Sequence, residues 1–155
     1  LIVAMSLLAA VLMGATSIFL SIKKTGSSFY ATESSLMEAV LAANEEMVQK
    51  ITVSNSAVPD STVTPKNSKI TVKVDEAGTP TDATDDKTYE YALSGKNLTR
   101  KIGTGTAVVI AKDITALKFT RDGSNTIVIE MKVQPTGGPQ ENIKTTVIAR
   151  GRSSQ

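Results

Sequence analysis

The sequence predicts an α+β fold: a long N-terminal helix, apolar through its first half, packed on an antiparallel β-sheet head. Three observations carry this. Leu1 to Ile22 hold no charged residue. Apolar residues then continue at spacings of three, four and seven as far as Ile51, the mark of one amphipathic helix. From Ile70 the apolar period changes to two, the mark of half-buried strands. The 155 residues thus divide into an apolar helix over 1–22, its amphipathic continuation over 23–53, a β-rich globular head over 54–150 and a tail over 151–155.

The opening run LIVAMSLLAAVLMGATSIFLSI is interrupted only by Ser6, Gly14, Thr16, Ser17 and Ser21. At about 1.5 Å per residue it covers about 33 Å as a helix, against a hydrocarbon core of about 30 Å. A cleaved signal peptide would have an apolar region of only about 7–15 residues. The longer run, continuing in helical register, reads as a retained single-pass membrane anchor. Lys23 and Lys24 follow it, and positive-inside logic alone would put them on the cytoplasmic side. Snorkelling at the headgroups is their simplest role.

Beyond the Thr25–Ser28 step, Phe29/Tyr30, Leu36/Met37, Val40/Leu41, Met47/Val48 and Ile51 form an apolar stripe. Glu33, Glu38, Glu45 and Glu46 take the other faces. Gly26 costs about 1 kcal/mol against Ala, too little to end a helix. Unbroken from Leu1 to Ile51, the helix would be about 75 Å long. The residues expected to dock it on the sheet are Phe29, Leu36, Met37, Val40, Leu41, Val48 and Ile51.

Pro59 and Pro65, among Ser, Thr and Asp, make Asn55–Lys69 a loop. Alternation then predicts about seven short strands: Ile70–Val74, Tyr89–Leu93, Leu98–Ile102, Ala107–Ala111, Ile114–Thr120, Thr126–Val133 and Ile143–Ala149. Ser94–Asn97 and Arg121–Ser124 read as hairpin turns, and Gly137-Gly138-Pro139 as a longer connection. Short turns between neighbours favour an antiparallel meander.

Composition removes several functions. The chain has no Cys and no His, which excludes thiol chemistry, thiolate zinc and imidazole general bases. A net charge of +2 with no basic tract gives nucleic-acid binding no support. Gly103-Thr104-Gly105 lacks the helix that phosphate binding requires and reads as a turn. Tyr89 and Tyr91 share a strand face and read as core. No motif gathers a nucleophile or a carboxylate pair, so the expectation is a non-enzymatic chain without catalytic residues, cofactor or small-molecule substrate.

The segment Asp75–Lys87 supplies Asp75, Glu76, Asp82, Asp85 and Asp86. Carboxylates at this density suit calcium, with Asp82, Asp85 and Asp86 as candidate ligands. The spacing does not fit the helix–loop–helix calcium pattern, so a solvated loop is the default.

LIVAMSLLAAVLMG resembles the apolar stretch that follows a Phe-Thr-Leu-x-Glu start in the type IV pilin-like superfamily. In that alignment Leu1 directly follows the family's glutamate, which places that residue, a basic leader and a processing glycine ahead of Leu1. Tyr89-x-Tyr91-x-Leu93, Leu98-x-Arg100, Val109–Phe119, Thr126–Val133 and Thr145–Arg150 resemble J-type minor pseudopilins of type II secretion and W-type minor pilins. The resemblance implies a pilin-like fold and a structural subunit. Such a subunit waits in the inner (cytoplasmic) membrane with an extracytoplasmic head, then joins a surface or periplasmic filament. Its partners would be other pilin or pseudopilin subunits.

The residues expected to line such a shaft are Leu1, Ile2, Val3, Leu7, Leu8, Val11, Leu12, Gly14, Ile18 and Phe19. Small residues such as Ala4, Ala9, Ala10 and Gly14 permit close helix approach. Two rival readings share these features: a single-pass anchored binding or adhesion module that never polymerises, and an archaeal pilin-type subunit.

Overall fold

A computed structural model of the chain describes residues 34–76, 86–123 and 125–149. The chain divides after Ser35, and the account that follows concerns the unit from Leu36 onward. Its architecture corrects the expected one. The described residues are mostly β: one short helix, α1 (34–52), and eight strands in two antiparallel sheets. Among them no helix is long and apolar enough to cross a membrane. The helix that is seen carries Glu38, Glu45, Glu46 and Lys50, so it is one-sided rather than apolar all round. Leu1 to Ile22, expected as the apolar half, lie outside the described residues.

The first sheet is a meander of β1 (Ser56–Pro59), β2 (Lys69–Asp75), β3 (Asp86–Ser94), β4 (Asn97–Ile102) and β5 (Val108–Ala111). The second joins β6 (Ile114–Asp122), β7 (Thr126–Val133) and β8 (Glu141–Ile148). The expected single meander of about seven strands is thus two sheets and eight strands. The break falls at Asp113, whose φ of 59° turns the chain out of the first sheet. The added strand, β1, lies inside the expected loop. Pro59 hides it in the sequence, because proline removes a ladder donor and is tolerated at a strand end on a sheet edge. β1 is such an edge, and it buries Ala57 opposite Val72.

Register explains the core. Ile70, Tyr91 and Arg100 stand side by side across β2, β3 and β4, as do Val72, Tyr89 and Ile102. In the second sheet Phe119 pairs with Ile129, and Ile129 with Thr145. The inward residues of both sheets and of α1 form one apolar cluster, in which Tyr91, Phe119, Met47, Ile51 and Ile70 are fully buried. The outward rows are polar, as at Lys118, Glu130 and Lys144.

Two main-chain hydrogen bonds hold the junction. The Phe119 N–H donates to the Asn67 carbonyl at 2.8 Å and the Ile114 N–H to the Lys96 carbonyl at 3.0 Å. β6 therefore runs beside the turns of the first sheet. Asn67 serves there with φ at 62°, a left-handed conformation that Asn tolerates better than most residues.

Candidate functional site: the helix–sheet seam

Among the described residues, the docking candidates of the sequence lie on α1, most of them on the face turned to the sheets. Val40 and Ile51 are fully buried, while Leu36 and Val48 are half-buried against the core. Met37 is half-buried. Leu41 departs from the expectation: it is 52% exposed. At 100° per residue, a stripe through 36, 40, 43, 47 and 51 leaves position 41 on the flank. Ala43 and Met47 occupy that stripe instead and were absent from the expected docking set. Phe29 lies outside the described residues. So do the shaft residues Leu1, Ile2, Val3, Leu7, Leu8, Val11, Leu12, Gly14, Ile18 and Phe19.

The seam is fastened by polar groups that flank the stripe. Glu46 Oε1 accepts the Tyr91 hydroxyl at 2.8 Å, and Oε2 accepts Arg100 Nη1 at 3.0 Å. One carboxylate thus ties α1 to β3 and β4. Arg100 Nε is buried with no hydrogen-bond partner among the described residues, so Glu46 is the group that makes its charge tolerable there. Burial first, and the Glu46 carboxylate second, push the Tyr91 phenol far above its usual range and keep it neutral. On the other flank Asn44 Nδ2 donates to Thr145 Oγ1 of β8 at 3.2 Å. The helix is therefore bonded to both sheets.

A second cluster stands one helical turn on. Lys50 Nζ lies 4.4 Å from the centre of the Tyr89 ring and 3.4 Å from Glu76 Oε1. Lys87 Nζ meets Glu76 Oε2 at 3.0 Å, and the Tyr89 hydroxyl donates to Glu76 Oε1. The Tyr89 hydroxyl first, then Lys87, lower the Glu76 carboxyl to about 2. Tyr89 and Tyr91 thus place rings in the core and hydroxyls on α1-side carboxylates.

The order of these contacts fixes the helix direction. Glu46 sits at Tyr91 and Lys50 at Tyr89, so α1 runs antiparallel to β3. Its end is closed locally: Thr52 Oγ1 donates to the Val48 carbonyl at 2.8 Å and the buried Ser54 Oγ to Ile51 at 2.7 Å. The Asn55 N–H then enters the sheet on Lys73 at 2.8 Å.

Of the calcium candidates, Asp82 and Asp85 lie outside the described residues. Asp86 opens β3 and accepts Asn55 Nδ2 at 3.0 Å. Among the described residues no group of three His, Cys, Asp or Glu stands close enough to share a metal. An open hollow of about 250 Å³ lies between Glu130–Lys132 of β7 and Asn142–Lys144 of β8. Glu130 and Lys144 are paired there at 3.1 Å. The seam thus fastens α1 to both sheets. Compared with known proteins, the chain matches no family model, no curated protein and no solved structure.

Arg100 is the residue whose signal could have revealed the Glu46 latch. It alternates with Leu98 and Ile102, so it is a cation on a core-facing strand row, and such a charge requires a partner.

Proposed function

We propose that this chain is a structural subunit of a type IV pilus-like or type II secretion-like filament, of the minor pilin or pseudopilin kind. It assembles through Leu1 to Ile22. The supporting observation is that uncharged run, which leads into an amphipathic helix carrying a β-rich head. Such a run exchanges lipid contacts for contacts with sibling segments at little hydrophobic cost, because lipid tails are as apolar as leucine. It also leaves the bilayer without a buried-charge penalty. Before assembly the subunit sits in the inner (cytoplasmic) membrane with its head outside the cytoplasm. Afterwards it belongs to a surface or periplasmic filament of pilin-type partners.

Cell fractionation tests the reading. The full chain is expected in sheared filament material, or co-purifying with other pilin-type subunits. Deletion of residues 1–22 should abolish this and leave a soluble, monomeric β-rich head. A deletion product that still enters filaments, or a full chain recovered only as a lone membrane protein, overturns the proposal.

A further inference from the structure

Six asparagines stand in the sequence, and one of them, Asn97, is followed two residues later by a hydroxyl with no proline between: Asn97-Leu98-Thr99. That spacing is the acceptor motif for glycan transfer to an asparagine amide in exported proteins, and it belongs at a surface turn. Asn55-Ser56 and Asn125-Thr126 have the hydroxyl one residue on, which is the wrong spacing.

The fold presents the motif where a transferase needs it. Asn97 opens β4 directly after the two-residue turn Gly95-Lys96, opposite Ser94 of β3. Side chains alternate along a strand. Leu98 accordingly points inward and is fully buried, while Asn97 and Thr99 share the outer face of the sheet. Asn97 is half-buried, and Ser94, Gly95 and Lys96 beside it are exposed. Gly95 makes the tight turn with φ at +61°. The Thr99 hydroxyl donates to the Ala92 carbonyl at 3.0 Å, which fixes its direction and leaves its lone pairs to accept. The cross-strand partner of Thr99 is Val109, 44% exposed. The outer row that carries the motif thus runs on into an apolar side chain, which a bulky, solubilising glycan would shield.

We infer that Asn97 is a glycan attachment site. The co-reactant is a sugar carried as a glycosyl phosphate on a lipid, and an enzyme makes the transfer, because an amide is too weak a nucleophile to react unaided. Asn97 Nδ2 bonds to the anomeric carbon of the sugar. The bond from that carbon to the phosphate oxygen breaks, and the lipid phosphate leaves with the electron pair. One Nδ2 proton passes to a base on the enzyme, and nothing is oxidised or reduced. The inference rests on the extracytoplasmic placement of the head in the filament reading, and it adds a covalent feature to that head.

The test takes full-length chain from the cells that make it naturally, recovered from membranes and from sheared filaments. Fragmentation mass spectrometry is expected to place added sugar mass on Asn97 and on no other asparagine. Asn97→Gln and Thr99→Val should each abolish that mass, while Thr99→Ser, which keeps the hydroxyl, should keep it. Chain recovered with a bare Asn97, or added mass that survives Thr99→Val, overturns the inference. A bare Asn97 in sheared filaments leaves the filament reading standing. Glycosylated chain that never enters filaments removes that reading and leaves the site.

Discussion

The Tyr91 hydroxyl of β3 donates to Glu46 of α1 at 2.8 Å, across a core in which the Tyr91 ring is fully buried. Tyr91→Phe keeps the ring and removes only this bond to a charged acceptor. The expected loss is about 1–2 kcal/mol, read as a lower urea midpoint at unchanged slope. Combined with Glu46→Gln in a double-mutant cycle, the pair should show coupling, because both changes act on one network.

The same phenol makes stability fall at alkaline pH. Its folded pKa is raised above the ordinary value of 10.0. Folding therefore favours the protonated form, so the contribution is complete below about pH 10 and is lost as pH rises beyond it. Denaturation midpoints measured from pH 8 to pH 11 should drop at the alkaline end, and Tyr91→Phe should flatten that drop.

Met47 and Leu41 separate the true stripe of α1 from its flank. Met47 is fully buried and Leu41 is 52% exposed. Met47→Ala should cost about 2–5 kcal/mol through the cavity it leaves. Leu41→Ala should stay within about 0.5 kcal/mol, as surface changes usually do. Equal losses would mean that the helix is rotated from the position described.

Glu76 should titrate as an unusually strong acid. Its carboxyl is lowered to about 2 by the Tyr89 hydroxyl and then by Lys87. A depressed folded pKa contributes stability above the unfolded value of about 4.5 and loses it as pH falls towards 2. Carboxyl NMR should place the Glu76 midpoint well below those of the other glutamates, and Tyr89→Phe should move it upward.

Gly95 tests the first hairpin of the β3–β4 meander. Its φ is +61° with no heavy atom within 4 Å of an added Cβ, so any penalty is conformational rather than steric. Gly95→Ala should cost about 1 kcal/mol, the usual price of a left-handed alanine, without altering the spectrum of the core. A loss several times larger would point to a contact not seen here.

Much of the strand pattern was legible because alternation is strong wherever one face is buried. Thr126–Val133 coincides with β7, and Tyr89–Leu93 lies within β3. What failed had specific causes. Pro59 concealed β1, whose only buried residue is Ala57. The division into two sheets depends on Asp113 adopting positive φ, which an Asp in sequence does not announce. The apolar spacing makes the docking stripe one residue too wide at Leu41 and too narrow at Ala43 and Met47, alanine giving a weak periodic signal. The Glu46–Tyr91–Arg100 latch joins residues up to 54 positions apart, and nothing in local spacing pairs a helix carboxylate with a strand guanidinium.

Asn44, Glu46 and Lys50 are spaced along one helix, and their partners lie on four different segments of the head: β8, β3, β4 and the end of β2. A force drawn along the axis of α1 therefore meets these bonds together, in shear, instead of peeling them off singly. Tension is shared out before any one attachment reaches its breaking point, so the head behaves as a cleat on a taut line.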